Sequence, residues 1–158
     1  METKFNFKSQ ICTTREQSER LLALGLKKET ADMCYRYVNT VKGEKKYELI
    51  VEAAWSQEVI DEYVRFGTKI GLFDNLVHPC GKPVTPLEAR ADVTKNDIPA
   101  WSLHRLIEMI NEEIQTDWES MCLQDEVFTK RDNLYDNIID CIEWLIKEGY
   151  FNKEYLEE

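Results

Sequence analysis

The 158-residue sequence is poor in glycine and proline and contains no long apolar run. Six glycines and four prolines exclude collagen-like material and long flexible linkers. No apolar stretch reaches the roughly 18 residues that a membrane-spanning helix needs. Residues 1–6 lack the basic end and apolar core of a signal peptide. We therefore expect a cytoplasmic protein without membrane contact.

The sequence also lacks the common cofactor and metal motifs. The cysteines are odd in number and form no C-x-x-C pair; they are Cys12, Cys34, Cys80, Cys122 and Cys141. This pattern argues against a disulfide framework and a structural zinc site, and it favours free, mostly buried thiols. The glycines match neither common phosphate-binding pattern, G-x-x-x-x-G-K or G-x-G-x-x-G. We therefore expect no cofactor and no metal.

The net charge of −10 is concentrated in the final third of the chain. Residues 106–158 carry fifteen acidic and four basic side chains, which is a local net charge of −11. Such a field repels nucleic acid and favours a basic protein partner. Two alternatives remain open: an ordinary solvated surface, or an acidic mimic of DNA that inhibits a nucleic-acid-binding protein.

Local patterns predict one α+β domain over residues 1–158, with helices packed on a small antiparallel sheet. A capping box, either Thr13 with Glu16 or Thr14 with Gln17, opens a first helix that ends before Gly25. Alternating apolar residues predict a hairpin over 34–51.

Further along the chain, Ser56 caps a second predicted helix, which Gly67 or Gly71 would end. Residues 74–97 contain three of the four prolines and predict a long loop or insertion. A short helix inside it opens at the sequence Thr85-Pro86-Leu87-Glu88.

Two more helices are predicted in the last third of the chain. Ser102 caps the first, and Trp101 is placed to pack on Leu106. Residues 118–130 predict one or two short strands. The last helix carries a broad apolar stripe from Leu134 to Ile146, and Gly149 ends it.

Trp144 is the main indication of a binding site, because it falls on the polar face of the last helix. It either covers a loop of its own chain or anchors a partner. The predicted partner-binding surface consists of Trp144, Asp140, Tyr150, Phe151 and Tyr155. The same surface could serve a homodimer.

Carboxylates lie on the same polar face as Trp144. Asp136, Asp140 and Glu143 share this face of the last helix, where we expect a solvated surface rather than a cation or acid–base site.

A small enzyme centred on the 74–97 loop is the remaining alternative. His78 and Cys80 are close in sequence, and His104 could join them through the fold. A nucleophile needs a positioned base, and no motif supports such a pair. The function that we expect first is therefore a non-enzymatic accessory or protein-interaction protein.

Three stretches together resemble a known family. They are residues 16–33, the segment Pro99-Ala100-Trp101-Ser102-Leu103, and residues 137–150. They are similar to small uncharacterised proteins of gut Bacteroidales and their phages or mobile elements. The resemblance implies an intracellular, phage-associated protein and brings no activity or catalytic residue with it. It leaves residues 34–97 unassigned.

Overall fold

The computed structural model describes residues 10–39, 45–111 and 131–157. These ranges contain five α-helices and one three-stranded antiparallel sheet, which confirms the predicted α+β class. In chain order the elements are α1 (Arg15–Ala23), β1 (Met33–Asn39), β2 (Lys45–Ile50), α2 (Gln57–Lys69), α3 (Pro86–Thr94), β3 (Ile98–Ala100), α4 (Leu103–Asn111) and α5 (Leu134–Glu148). None of the described helices is long and apolar enough to cross a membrane.

The ends of α1 follow from its capping residues. Thr14 accepts a hydrogen bond from the backbone N–H of Gln17, and the Gln17 side chain accepts one in return from Thr14. Of the two predicted capping boxes, this is the one that forms. After the helix, Gly25 takes a φ of +93°, and the N–H of Leu26 donates to Leu21.

The sheet has the order β2-β1-β3. Tyr35 lies opposite Leu49 of β2 on one side and opposite Ile98 of β3 on the other. The predicted hairpin is therefore confirmed, although its turn at 42–44 and the predicted strands at 118–130 lie outside the described residues. The sequence did not predict β3, because it is three residues long and contains Pro99. Proline is tolerated there because β3 is an edge strand.

Gly67 and Gly71 have different roles at the end of α2. The helix runs through Gly67 and ends at Lys69, and Gly71 follows with a φ of +69°. Gly67 is instead required for packing, because a Cβ at this position would lie 2.4 Å from the ring of Phe73. Ser56 caps α2, and the predicted capping box of Thr85 and Glu88 opens α3.

The main apolar core is built by α1, α4, α5 and the chain after α5. Its buried members are Leu21, Leu26, Ala31, Trp101, Leu106, Met109, Ile110, Tyr135, Ile138, Ile139, Cys141, Ile142, Leu145 and Phe151. No described residue between 32 and 100 belongs to this cluster. In α2 the only buried residue is Gly67. The two ends of the chain therefore supply the side chains of the main core that the structure describes, and the middle does not.

Candidate functional site

The predicted partner-binding surface at the C-terminal end of the chain is only partly exposed. Trp144 packs its indole against the main core, and its ring centroid lies 5.9 Å from that of Tyr150. Tyr150 remains exposed just beyond Gly149. A contact of this kind is expected if Trp144 covers a loop of its own chain rather than anchoring a partner. Trp144 and Tyr150 therefore form a small aromatic pair at the end of α5.

The other two aromatic residues of the predicted surface, Phe151 and Tyr155, are packed in or against the main core. Phe151 is only 3% exposed and belongs to the core. Tyr155 is half-buried against Phe151, and the Arg105 guanidinium lies 5.4 Å from its ring. The periodicity of α5 could not show this, because both residues follow the helix end at Gly149.

The acidic face of α5 binds α1. Asp140 pairs with Arg20 at 2.6 Å and with Arg131 at 2.7 Å, and Glu143 also pairs with Arg20. Asp136 accepts a hydrogen bond of 2.7 Å from the Gln17 side chain. The carboxylates are therefore partly exposed, as expected, and also paired within the chain, with side-chain exposures of 21% for Asp140 and 49% for Glu143. Asp140 and Glu143 are paired with arginines of the same chain, whereas Asp136 is bonded to an uncharged amide, so this face offers less charge to a basic partner or a DNA-like surface.

The residues of the predicted enzyme site do not converge. His78 Nε2 lies 3.5 Å from Glu88, and His104 Nε2 lies 2.9 Å from Glu108. Cys80 is exposed. Within the described ranges, no three His, Cys, Asp or Glu side chains are grouped as metal ligands would be.

The buried thiols are poor nucleophiles at neutral pH. Burial raises the pKa of Cys141 to about 12, and burial with the nearby Asp97 charge raises the pKa of Cys34 to about 11. A thiol must ionise to react, so both favour the inert form.

An ion-pair network joins the hairpin to α3. Arg36 Nε donates to Asp97 at 2.9 Å, and Arg36 also lies 3.5 Å from Glu52. Arg90, which is buried, donates to Glu52 and, at 2.9 Å, to the carbonyl of Ala54. No sequence pattern indicated this network, because its members are far apart along the chain.

Replacing Glu52 by glutamine is expected to weaken the acid dependence of stability. Burial raises the pKa of this carboxyl, but the Arg90 hydrogen bond and the Arg36 charge outweigh it and leave the pKa lowered. A lowered folded-state pKa stabilises the fold above the unfolded value of 4.5, and this contribution is lost as the pH falls below it. Urea unfolding between about pH 5 and pH 3 should therefore show a shallower decline for E52Q than for the unaltered chain.

The matched control for that experiment is Glu19→Gln, which removes an exposed carboxylate on α1. Its stability should follow the pH profile of the unaltered chain. Parallel profiles for E52Q and the unaltered chain would show that Glu52 does not sense the Arg36 and Arg90 charges.

A cleft of about 460 Å³ opens beside the network, with Trp55 and Pro99 among its lining residues. Of its charged lining residues, Lys95 pairs with Asp92 at 2.6 Å, whereas Glu29 is exposed and the Lys28 ammonium lies 5.9 Å from the centre of the Trp55 ring. Charges of both signs therefore line the cleft, and they do not select one ligand class.

The most exposed apolar surface lies in the middle of the chain. Of the fourteen exposed large hydrophobic residues in the described ranges, seven fall between 66 and 93. Four of them, Leu72, Leu76, Val77 and Val93, line a groove of about 720 Å³ between α3 and residues 72–84, which we call the α3 groove. Beside it lie the ion pair of Asp92 with Lys95 and a contact of 3.5 Å between His78 Nε2 and Glu88.

The sequence pattern predicts a loop over residues 74–97 and does not predict the groove. The available signal was the run of apolar residues at 72, 73, 76, 77 and 84 in a segment without helical or alternating periodicity. Comparison with known proteins finds no matching family model, curated protein or solved structure. The resemblance to the Bacteroidales proteins therefore stays a prediction.

Proposed function

We propose that this is a non-enzymatic interaction protein whose α3 groove binds an amphipathic helix of a protein partner. The observation that supports the proposal is the concentration of exposed apolar side chains along the groove. Monomeric proteins seldom leave a large contiguous apolar patch open to water, and such a patch usually marks an interaction site. We place the protein in the cytoplasm, where the four free cysteines among the described residues would remain reduced.

The chemistry of the groove favours a helical, apolar partner segment. The α3 groove lies between a helix and a loop rather than along a sheet edge, so it offers no strand for β-augmentation. Amphipathic helices bind such grooves through apolar residues at i, i+3, i+4 and i+7. Because Lys95 is paired with Asp92 and the Glu88 carboxylate accepts hydrogen bonds from Thr85, we expect binding to depend mainly on apolar burial and little on salt.

The prediction of a basic partner does not depend on the α3 groove. It rests on the acidic final third of the sequence, whose Asp136, Asp140 and Glu143 are bonded within the chain. The acidic side chains of residues 112–130 lie outside the described ranges. We therefore assign the α3 groove, rather than the acidic face of α5, as the main interface.

The proposal is tested by a photo-crosslinking amino acid placed at Val77 in the native host. A matched probe at Ile11, which is also exposed but lies on another part of the chain, is the control. We expect one discrete adduct from Val77 that is absent from Ile11 and is lost when Val93→Glu is added.

A purified assay follows from the crosslinked peptide. Synthesised on its own, it should bind the purified protein and gain helical circular dichroism, and Val93→Glu should raise its Kd at least about tenfold. Failure of the Val77 probe to form an adduct, identical adducts from both probes, or an adduct only between two copies of this chain would each refute the proposal.

A further inference from the structure

The outward face of α2 carries acidic residues in its first half and basic residues at mirrored positions in its second half. Glu58, Glu62, Arg65 and Lys69 follow one another at spacings of four, three and four residues. Such spacings place all four on one side of an α-helix. All four are exposed, and the contact of 3.7 Å between Glu62 and Arg65 within the chain joins side chains that are 71% and 81% accessible. The acidic half of this face thus precedes an equally long basic half.

We infer that α2 pairs with α2 of a second copy of this chain in antiparallel orientation. A twofold axis through the middle of the helix would place Glu58 opposite Lys69 of the second copy and Glu62 opposite Arg65 of the second copy. Each dimer would then contain both pairs twice. The arrangement is self-complementary, as an interface between identical chains must be.

Exposed apolar residues flank this charged face. Phe66 of α2 is 60% exposed, and Ile70, the residue that follows the end of α2 at Lys69, is 56% exposed. The helix dipole by itself favours acidic residues near the start of α2 and basic residues near its end. It does not explain two large apolar side chains in water. Pairing of two α2 helices would cover them, since the twofold axis keeps equivalent flanks on one side of the interface.

Two copies of this acidic chain can approach each other at α2 because the charge of the surrounding segment is nearly balanced. Residues 55–97 carry seven acidic and five basic side chains, whereas the large excess of acid lies after residue 105. The helix itself has 13 residues and is about 20 Å long. A contact of this length is at the small end of specific interfaces, so we expect a weak dimer.

Sedimentation equilibrium of the full chain and two charge-reversed variants tests the inference. E58K/E62K makes the outward face of α2 wholly basic, and R65E/K69E makes it wholly acidic. We expect the unaltered chain to dimerise, and each variant alone to associate at least about tenfold more weakly, because four opposite-charge contacts become like-charge contacts. An equimolar mixture of the two variants should form a one-to-one heterodimer, since each face then meets its opposite.

The control E148K/E157K makes the same charge change as E58K/E62K on exposed residues outside α2, and should dimerise like the unaltered chain. Val77→Glu should do so as well, which separates this inference from the α3 groove. If a double variant does not fold, the single Phe66→Asp replaces it and should also weaken the dimer. A monomeric unaltered chain at about 1 mM, or a mixture that associates no better than its components, overturns the inference.

Discussion

Replacing Trp101 by alanine is expected to lower the free energy of unfolding by about 3–5 kcal/mol, the usual range for a buried aromatic residue. Trp101 has no exposed surface and lies at the centre of the main core. Its indole N–H donates to Thr30 at 2.9 Å, and its backbone N–H donates to the Thr13 hydroxyl at 3.0 Å. The substitution leaves a large cavity and removes the side-chain hydrogen bond.

Urea unfolding followed by far-ultraviolet circular dichroism measures this loss. The matched control is Trp55→Ala, because Trp55 is half-buried at the cleft and lies outside the main core. It should cost less than half as much. An equal cost at the two tryptophans would mean that the core is not centred on Trp101.

Replacing Arg36 by methionine is expected to lower the free energy of unfolding by about 3–5 kcal/mol at neutral pH, as when one partner of a buried ion pair is removed. The Asp97 side chain is 1% exposed, and Arg36 donates to it at 2.9 Å. Without the guanidinium, the buried Asp97 carboxylate loses its ion-pair partner, and the Cys34 thiol at 3.8 Å is too weak a contact to replace it.

A double-mutant cycle separates the buried charge from simple loss of packing. Adding Asp97→Asn to R36M should recover at least half of the lost stability, because the uncompensated charge is then gone. The control Lys46→Met removes a cation that is paired with Glu48 on the exposed surface of β2, and should cost less than about 0.5 kcal/mol. No recovery in the double variant would indicate that Arg36 acts through packing alone.

Local signals predicted many helix boundaries because each depends on a few adjacent residues. The capping boxes of α1 and α3 and the left-handed Gly149 form as the sequence indicates. The apolar stripe of α5 likewise predicts a buried helix, because one face of a regular helix must leave water. By contrast, β3 has no local signal, because its three residues are a strand only beside β1.

The candidate site was harder to predict, since exposure depends on what packs nearby. The sequence placed Phe151 and Asp140 on a binding surface, but Phe151 enters the core and Asp140 meets Arg20 of α1. It also identified Trp144 as an unusual residue, and the structure places that indole against Tyr150. No periodicity can identify such contacts, which join residues after a helix end or residues of different helices.

The sequence by itself determined the fold class and the ends of most helices, because caps, glycines and apolar periodicity act within a few residues. Tertiary structure alone decided which polar groups find partners within the chain and which apolar groups remain exposed. Arg36 meets Asp97 across 61 positions of sequence, and Gln17 meets Asp136 across 119. The α3 groove exists for the same reason: its apolar residues remain exposed because the core is built by the two ends of the chain, leaving the middle without a cover.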